Sequence, residues 1–217
     1  MKLPNFEDVE QNTDEWFAMR AGKMTSSKMG TVMANYGKAF GDPAKKLAAA
    51  IAVEQITGRP IGGGYSNDHM ERGHEQEPLA RALYEATYFC DVTNGGFFHG
   101  DSLGCSPDGL VADSGVIEIK SVIPHVHYAN IKRQGVDPAY KWQVSANLMF
   151  TGREWIDFVS YCADFPPEKQ LYTHRIYAAD QSEEFIKLRT RLGEFINEIE
   201  TSHNLIMSAK YYSEASQ

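Results

Sequence analysis

Three charged side chains that could do chemistry together lie within thirteen residues of one another: Asp108, Glu118 and Lys120. Residues 116–120 read Val-Ile-Glu-Ile-Lys, and this alternation of apolar and charged residues is typical of a β-strand. Because strand side chains alternate between faces, Glu118 and Lys120 should share one face and the two isoleucines the other. Carboxylates beside a lysine are the groups with which a metal-dependent hydrolase holds a divalent ion and orients a water molecule.

The position of Asp108 relative to Glu118 follows from a predicted hairpin that turns at residues 113–115. If the pivot is Asp113, the numbers of opposed residues sum to 226, and Asp108 then lies opposite Glu118. Opposed Cβ atoms are about 4.5–5.5 Å apart, and two carboxylates so close repel unless a proton or a cation lies between them. An all-oxygen site favours a hard ion such as Mg²⁺. The spacing alone does not decide between such a site and a solvated strand edge.

A metal site on this hairpin needs further oxygen ligands, because Mg²⁺ takes about six. Glu71, Glu75 and Glu77 are the nearest candidates, before or within a helix predicted at 70–88. Their spacing does not separate them, and an exposed helix glutamate is the simpler interpretation of each one. The sequence thus predicts a third carboxylate without choosing it.

The elements that position these residues are predicted from caps and from apolar spacing. Helices are expected from a capping box at 12–15 through residue 20, through 29–33, at 42–57, 70–88 and 140–150, and from a capping box at 180–183 onward, with Pro78 starting or kinking the fourth. Strands are expected at 97–99, 155–161 and 171–177, beside the hairpin, and residues 59–65 should form a flexible loop. This order predicts an α/β fold in one domain, residues 1–217, with a central mixed β-sheet flanked by helices.

Several finer expectations concern caps and the core. Residues 25–27 offer N-caps for the second helix, and residues 180–183 form a candidate capping box for the last one. The last helix carries an apolar stripe that should pack in the core or against another subunit: Phe185, Leu188, Leu192, Phe195 and Ile199. In the helix at 70–88, the apolar residues at helical spacing are Leu79, Leu83 and Ala86.

Composition excludes several classes of protein. With 42% hydrophobic residues the chain is an ordinary globular protein, and no apolar run approaches the ~20 residues of a membrane span. The three cysteines form neither a disulfide framework nor a zinc spacing, and no signal peptide is recognisable, which predicts a cytoplasmic location. The net charge of −8 argues against coating nucleic acid non-specifically. A local basic groove remains compatible with it.

Five ordered blocks of sequence carry a family resemblance. The PD-(D/E)xK pattern of the restriction-endonuclease-like nucleases fits the predicted hairpin, with Pro107-Asp108 followed after nine residues by Glu118-Ile119-Lys120. Around this pattern stand WFAMR at 16–20 with TSS at 25–27, GHEQE at 73–77, CSPDGL at 105–110 and YKWQV at 140–144. In order and spacing these blocks resemble the YqaJ-type viral recombinase nucleases, the family of phage lambda exonuclease. The resemblance covers roughly residues 12–151.

The resemblance implies a role for each residue of the metal site. Asp108 and Glu118 match the family's metal-binding carboxylates, and Ile119 matches the residue whose main-chain carbonyl joins them. Lys120 matches the lysine that positions the nucleophilic water. Glu77 matches the helix glutamate at the metal, which selects one of the three candidates left open by spacing.

Further matches concern the substrate. Arg20, Ser27 and Ser106 match the pocket that grips a terminal 5′-phosphate, and arginine suits that task because its planar fork binds phosphate. Gln143 matches a glutamine near the metal site. The family often has a second glutamine two residues further on, and this chain has Ser145 there.

The activity implied by the resemblance is a Mg²⁺-dependent 5′-to-3′ exonuclease, with Mn²⁺ as the alternative metal and one or two ions per site. It would degrade the 5′-phosphorylated strand of linear duplex DNA to mononucleotides and leave 3′ single strands for phage recombination. The family also implies a homotrimeric ring, a phage single-strand annealing protein as partner, and a phage or prophage gene in a bacterial host. Only the channel of such a ring need be basic.

Rival interpretations stay open. A restriction- or repair-type endonuclease would use the same fold, and a non-catalytic DNA-end-binding factor would keep the fold without the chemistry. Trp16 is either a group near DNA or a core residue. His125 and His127 would share a face if their segment were a strand, but no Cys or His cluster completes a metal site, so adventitious binding or plain surface is expected. No metal site is expected at His69, His74 or His99 either.

Overall fold

Two β-sheets and seven α-helices make up the part of the chain that the computed structural model describes, residues 2–61 and 68–210, with the backbone alone at 68–71 and 74. Most of the predicted loop at 59–65 lies outside these residues. The side chains of Glu71, His69 and His74 also lie outside the described part. No helix within it is long and apolar enough to cross a bilayer.

Six of the helices in the described residues lie close to the predicted positions, and the one at Pro124–Arg133 was not predicted. In chain order the helices are α1 (Asp14–Arg20), α2 (Met29–Met33), α3 (Asp42–Thr57), α4 (Asp68–Tyr88), α5 (Pro124–Arg133), α6 (Lys141–Thr151) and α7 (Ser182–Ser208). Thr13 caps α1, since its hydroxyl accepts a hydrogen bond from the Trp16 amide at 3.2 Å. Gly58 ends α3 in the left-handed conformation.

The strands form two mixed sheets. Four short strands pair in the order β1-β4-β5-β2: β1 (Asn5–Glu7), β2 (Met24–Thr25), β4 (Phe97–His99) and β5 (Leu103–Cys105). Five strands form the larger sheet in the order β3-β6-β7-β8-β9: β3 (Val92–Thr93), β6 (Gly109–Val111), β7 (Gly115–Ser121), β8 (Trp155–Tyr161) and β9 (Leu171–Tyr177). Only β7 and β8 pair in parallel in this larger sheet. The predicted α/β fold with a central mixed sheet is confirmed, and the smaller sheet is an addition to it.

Strand β7 is covered on both faces. Val116 on one face belongs to the core cluster that includes residues of α6, whereas Ile117 and Ile119 on the other face pack with Ala80 and Tyr84 of α4. Two packed faces explain why residues 115–119 are all buried. Glu118 is therefore a buried carboxylate rather than part of a solvated strand edge.

Three details of the helices correct the expectations. Gln181, the second residue of the predicted capping box, precedes α7 in place of the first residue, and its side chain makes no cap hydrogen bond. Helix α4 continues through Pro78, and it buries Ala80 and Tyr84 while Leu79 is 58% exposed. The fully buried residues Ala80 and Tyr84 each follow an apolar residue of the expected spacing by one position, because that face of α4 packs against β7. The apolar stripe of α7 packs in the core, as one of the two expectations stated.

The segment with His125 and His127 is helical and not a strand. Pro124 at the first position of α5 has the φ angle that a helix start requires, and Gln134 ends the helix in a left-handed conformation. His127 is fully buried, with Nδ1 2.9 Å from Ser160 Oγ and Nε2 3.0 Å from the Lys169 carbonyl oxygen. The expectation of a surface histidine or adventitious metal ligand is wrong for His127, which joins α5 to β8.

Candidate active site

The hairpin has the predicted register. Gly109 opposes Ile117 and Val111 opposes Gly115, so the numbers of paired residues sum to 226. The pairing extends one residue beyond β6, because the Asp108 amide donates to the Ile117 carbonyl oxygen at 3.2 Å. The Asp108 carboxylate in turn accepts a hydrogen bond from the Ile119 amide at 2.6 Å. Asp108 is thus fixed to β7 next to Glu118.

The Glu118 carboxylate is held by three donors. Lys120 Nζ lies 2.6 Å from Glu118 Oε1, which confirms that the two side chains share one face of β7. Gln143 Nε2 donates to the same oxygen at 2.5 Å, and Asn147 Nδ2 donates to Oε2 at 2.6 Å. Gln143 and Asn147 lie one turn apart on α6, so this helix orients the carboxylate. Asn147 was not anticipated, although its i+4 spacing from Gln143 was a usable signal.

One cavity of about 570 Å³ gathers the predicted side chains. It is lined by all eight of them: Arg20, Ser27, Glu77, Ser106, Asp108, Glu118, Lys120 and Gln143. Glu77 reaches it from α4, on the opposite face of β7 from α6. The Ile119 side chain is buried in the core, so this residue can contribute only its main chain. Residues missed by the sequence analysis also line the cavity, among them Gln11, Arg81 and Asn94.

The carboxylates of this cavity repel one another. Burial raises the pKa of Asp108 to about 7, and the charge of Glu77 adds to the effect. Burial likewise raises the pKa of Glu118 to about 7, together with the charge of Asp108. The pKa of Glu77 is raised by burial and by Glu118. Burial alone would lower the pKa of Lys120, but the attraction of Glu118 and Asp108 raises it above its usual value.

The donor set fits a hard divalent cation. Three carboxylates with raised pKa values around one cavity favour a cation at this place, and oxygen donors suit Mg²⁺ or Mn²⁺. Within the described residues, no three His, Cys, Asp or Glu side chains converge closely enough to hold an ion unaided. Mg²⁺ commonly takes one or two carboxylates and completes its shell with water and substrate phosphate, so the arrangement is consistent with that ion.

A second group of residues surrounds Arg20. Its NH1 lies 3.4 Å from Ser106 Oγ and its NH2 lies 3.4 Å from Thr25 Oγ1, which is 3.2 Å from Ser27 Oγ. Burial lowers the pKa of Arg20 to about 10, so the guanidinium keeps its charge at neutral pH. The hydroxyl of Thr25 contacts Arg20 and Ser27 and makes no cap bond. Lys28 precedes α2 without a side-chain cap bond, which corrects the N-caps expected at 25–27. Ser27 lies in a short 3₁₀ turn before α2.

These features together define the class of the protein. A mixed sheet flanked by helices, with an acidic hairpin and a lysine at one cavity, is the arrangement of the restriction-endonuclease-like fold. The model of the YqaJ-like viral recombinase domain matches residues 15–154. The chain belongs to this family, as the sequence blocks predicted.

Solved structures agree with this assignment. The alkaline exonuclease LHK-Exo from Laribacter hongkongensis is 33% identical, with a TM-score of 0.78 over 90% of this chain and 96% of its own. LHK-Exo in complex with dAMP gives 34% identity and a TM-score of 0.74 over 90% and 98% of the two chains. A phage-related exonuclease from Haemophilus somnus 129PT, 15% identical, has a TM-score of 0.63 over 86% and 95% and shares the fold. No curated protein matches the chain.

Proposed function

We propose that the chain is a Mg²⁺-dependent exonuclease that degrades the 5′-phosphorylated strand of linear duplex DNA in the 5′-to-3′ direction. The products would be mononucleotides and a 3′ single strand for recombination by annealing. The observation that carries this proposal is that one cavity contains both the acidic cluster and the Arg20 group. Ser106 and Asp108 are two positions apart, so their Cα atoms are within about 7 Å of each other, and one nucleotide can contact both groups.

The acidic cluster would hold the metal. Asp108, Glu118, Glu77 and the main-chain carbonyl of Ile119 are the proposed ligands, for Mg²⁺ or Mn²⁺ and for one or two ions. When bound, the metal lowers the pKa of a water molecule and neutralises charge on the scissile phosphate. Lys120 would orient that water and stabilise the negative charge that develops on the phosphate.

Helix α6 would preserve the geometry of the cluster. Gln143 and Asn147 donate to different oxygens of Glu118, so the carboxylate keeps one orientation while Lys120 moves between Glu118 and the water. This bracing is independent of Ser145, whose hydroxyl donates to Gln181 at 2.9 Å instead. Ser145 in place of a second glutamine is therefore compatible with the proposed chemistry.

The Arg20 group would bind the terminal 5′-phosphate. Arg20 supplies a charged planar fork, and Ser27 and Ser106, which line the same cavity, supply hydroxyl donors. A site for a terminal phosphate serves an enzyme that starts at DNA ends, which favours an exonuclease over an endonuclease. LHK-Exo has been solved with dAMP, and this supports a mononucleotide as the species that such a cavity accommodates.

The family supports further proposals about the assembly. We infer one nuclease domain over residues 1–217 that forms a homotrimeric ring around DNA and works with a phage single-strand annealing protein in the bacterial cytoplasm. A ring reconciles the net charge of −8 with DNA binding, because only the channel must attract phosphates. Light scattering coupled to size exclusion measures the mass of the assembly, and a monomer at working concentrations would exclude the ring.

Product analysis on end-labelled DNA tests the activity. Linear duplexes carrying a 5′-phosphate or a 5′-hydroxyl, labelled at either end, are incubated with Mg²⁺ and a covalently closed circle serves as the control. We expect 5′-mononucleotides from the 5′-phosphorylated strand, slower cleavage of 5′-hydroxyl ends, and an intact circle. Internal nicking of the circle would replace the exonuclease with an endonuclease. An absence of any cleavage would favour a non-catalytic end-binding factor.

A further inference from the structure

Trp16 connects two members of the proposed phosphate pocket. Its indole N–H donates a hydrogen bond to Ser106 Oγ at 2.8 Å, across ninety residues of sequence. Its ring carries the guanidinium of Arg20, whose Cζ lies 3.9 Å from the ring centroid. The side chain is 8% exposed and packs with Val9 and Phe97. Trp16 thus combines a buried position in a small core with one edge on the cavity.

The hydrogen bonds at Ser106 determine what its hydroxyl can do. A serine hydroxyl has one proton to donate and two lone pairs that accept. Ser106 Oγ accepts from Trp16 Nε1 at 2.8 Å and lies 3.4 Å from the NH1 donor of Arg20. Because these two donors occupy the lone-pair side of Ser106 Oγ, the proton of its hydroxyl points toward an acceptor in the cavity. A phosphate oxygen is such an acceptor.

The contact with the ring determines the orientation of Arg20. A guanidinium over a tryptophan face is held by cation–π attraction, which is strong when the pair is shielded from water. The NH2 of Arg20 also contacts Thr25 Oγ1 at 3.4 Å, and Thr25 contacts Ser27 at 3.2 Å. A continuous set of contacts therefore runs from Ser106 through Trp16 and Arg20 to Ser27. Trp16 is the member without a polar group of its own for a phosphate, because its one donor is used by Ser106.

We propose that Trp16 is a positioning residue that sets the preference for 5′-phosphate over 5′-hydroxyl DNA ends, by holding Ser106 as a hydrogen-bond donor and Arg20 in a fixed plane. This inference rests on the proposed function of the cavity. It explains why a buried tryptophan directs its N–H at a serine on the cavity wall rather than at a backbone carbonyl. It also resolves the choice between a DNA-contacting and a core tryptophan, since Trp16 packs in the core and acts on DNA through its neighbours.

The substitution Trp16→Phe removes the N–H and keeps an aromatic ring beneath Arg20. The measurement is the ratio of initial rates on 5′-phosphorylated and 5′-hydroxyl duplexes, with each protein's folding checked by circular dichroism. We expect this ratio to fall about tenfold, the effect of losing one oriented hydrogen bond. Trp155→Phe is the matched control, because Trp155 stacks on Arg175 away from the cavity, and its ratio should equal that of the wild type.

A double-mutant cycle tests whether Trp16 acts through Ser106. Ser106→Ala should lower the ratio, and Trp16→Phe added to Ser106→Ala should lower it little further. If the double variant lowers the ratio by the product of the two single fold-changes, the substitutions act independently, and the proposed route through Ser106 is overturned. Should Trp16→Phe fail to fold, replacement of the Trp16 indole by benzothiophene removes only the N–H.

The remaining outcomes separate this inference from the proposed function. A wild-type enzyme without any preference for 5′-phosphate would overturn the terminal-phosphate pocket itself. A wild-type enzyme with that preference, together with a folded Trp16→Phe or benzothiophene variant that keeps the full ratio, would overturn the role of Trp16 and leave the pocket in place. A lowered ratio with an unchanged Trp155→Phe control supports the inference.

Discussion

Asn147 Nδ2 lies 2.6 Å from Glu118 Oε2, and this contact joins α6 to the most deeply buried carboxylate of the cavity. Asn147 is itself fully buried, and its Oδ1 has no hydrogen-bond partner among the described residues. A buried amide with an unsatisfied oxygen is costly, so the bond to Glu118 is the interaction that accounts for asparagine at this position. Its neighbour Gln143 holds the other oxygen of the same carboxylate.

Replacing Asn147 should weaken metal binding. Asn147→Ala leaves Glu118 Oε2 without its donor, so the carboxylate loses its fixed orientation, and we expect a ~10–100-fold loss in Mg²⁺ affinity or activity. A Mg²⁺ titration followed by thermal unfolding measures the affinity separately from turnover. Ser145→Ala is the control on the same helix, since Ser145 contacts Gln181. An unchanged titration for Asn147→Ala would show that Glu118 is positioned by Gln143 alone.

Removing Lys120 or the charge of Asp108 should abolish cleavage. Lys120→Ala deletes the group proposed to orient the water, and Asp108→Asn deletes a metal ligand. We expect a loss of at least about 100-fold in the degradation of linear 5′-phosphorylated duplex with Mg²⁺ present. Binding of the same duplex, measured by fluorescence anisotropy in Ca²⁺, should persist because Arg20 is intact. Degradation at the wild-type rate by either variant would place the chemistry elsewhere.

The raised carboxyl pKa values predict a pH-dependent effect of the metal on stability. Asp108 and Glu118 have pKa values of about 7 in the metal-free fold, well above the ordinary value of about 4. The metal-free protein therefore loses stability as the pH rises from about 4 through about 7, because the fold binds more protons than the unfolded chain. Mg²⁺ takes the place of those protons, so its stabilising effect should grow over the same window.

Differential scanning fluorimetry checks this prediction. The increase in melting temperature caused by Mg²⁺ should be larger at about pH 8 than at about pH 6. In Asp108→Asn the dependence on pH should be smaller, since one of the carboxyl groups with a raised pKa is gone. Equal increases at both pH values in the wild type would mean that these carboxylates do not hold the metal.

His127 should make the protein sensitive to mild acid. The Lys169 carbonyl can only accept, so Nε2 carries the ring proton and Nδ1 accepts from the Ser160 hydroxyl. Burial lowers the pKa of His127, although the bond to Lys169 acts against this. The folded protein favours the neutral ring. The stability that His127 contributes is therefore fully present above about pH 6.5, the pKa of histidine in the unfolded chain, and it is lost as the pH falls through the lower pKa of His127 in the fold.

The substitution His127→Gln isolates this contribution. The variant should be less stable than the wild type at about pH 8, by roughly 1–3 kcal/mol for the lost hydrogen bonds and packing. The difference in free energy of unfolding between the two proteins should shrink toward about pH 5, because the glutamine does not titrate. Urea denaturation at both pH values measures it, and His125→Gln, at an exposed position of the same helix, is the control. A difference independent of pH would contradict the buried neutral ring.

The sequence specified the larger sheet better than the smaller one. Strands β8 and β9 were predicted residue for residue, and the hairpin register followed from the alternation in β7 and a pivot at Asp113. Strands β1, β2, β3 and β5 have only two or three residues, too few for any periodicity to appear. Helix α5 was missed because His125 and His127 alternate with the β-branched Val126 and so imitate a strand, whereas Pro124 at the first position favours a helix start.

The candidate site was predictable to different degrees at different residues. Asp108, Glu118 and Lys120 followed from local geometry, since one hairpin contains all three. Glu77 came only from the family resemblance, because its distance from the hairpin depends on how α4 packs on β7. Asn147 was overlooked although its i+4 spacing from Gln143 was a signal, because its burial against Glu118 depends on how α6 packs on β7.

The coverage of β7 on both faces has a mechanical consequence. Glu77 comes from α4 on one face of β7, and Gln143 and Asn147 come from α6 on the other. The width of the cavity therefore depends on how closely the two helices pack on the sheet. A smaller side chain at a fully buried contact such as Val144 would let α6 approach the sheet. The rate of cleavage would then depend on packing inside the core, because any shift of α6 moves the donors Gln143 and Asn147 relative to Glu118.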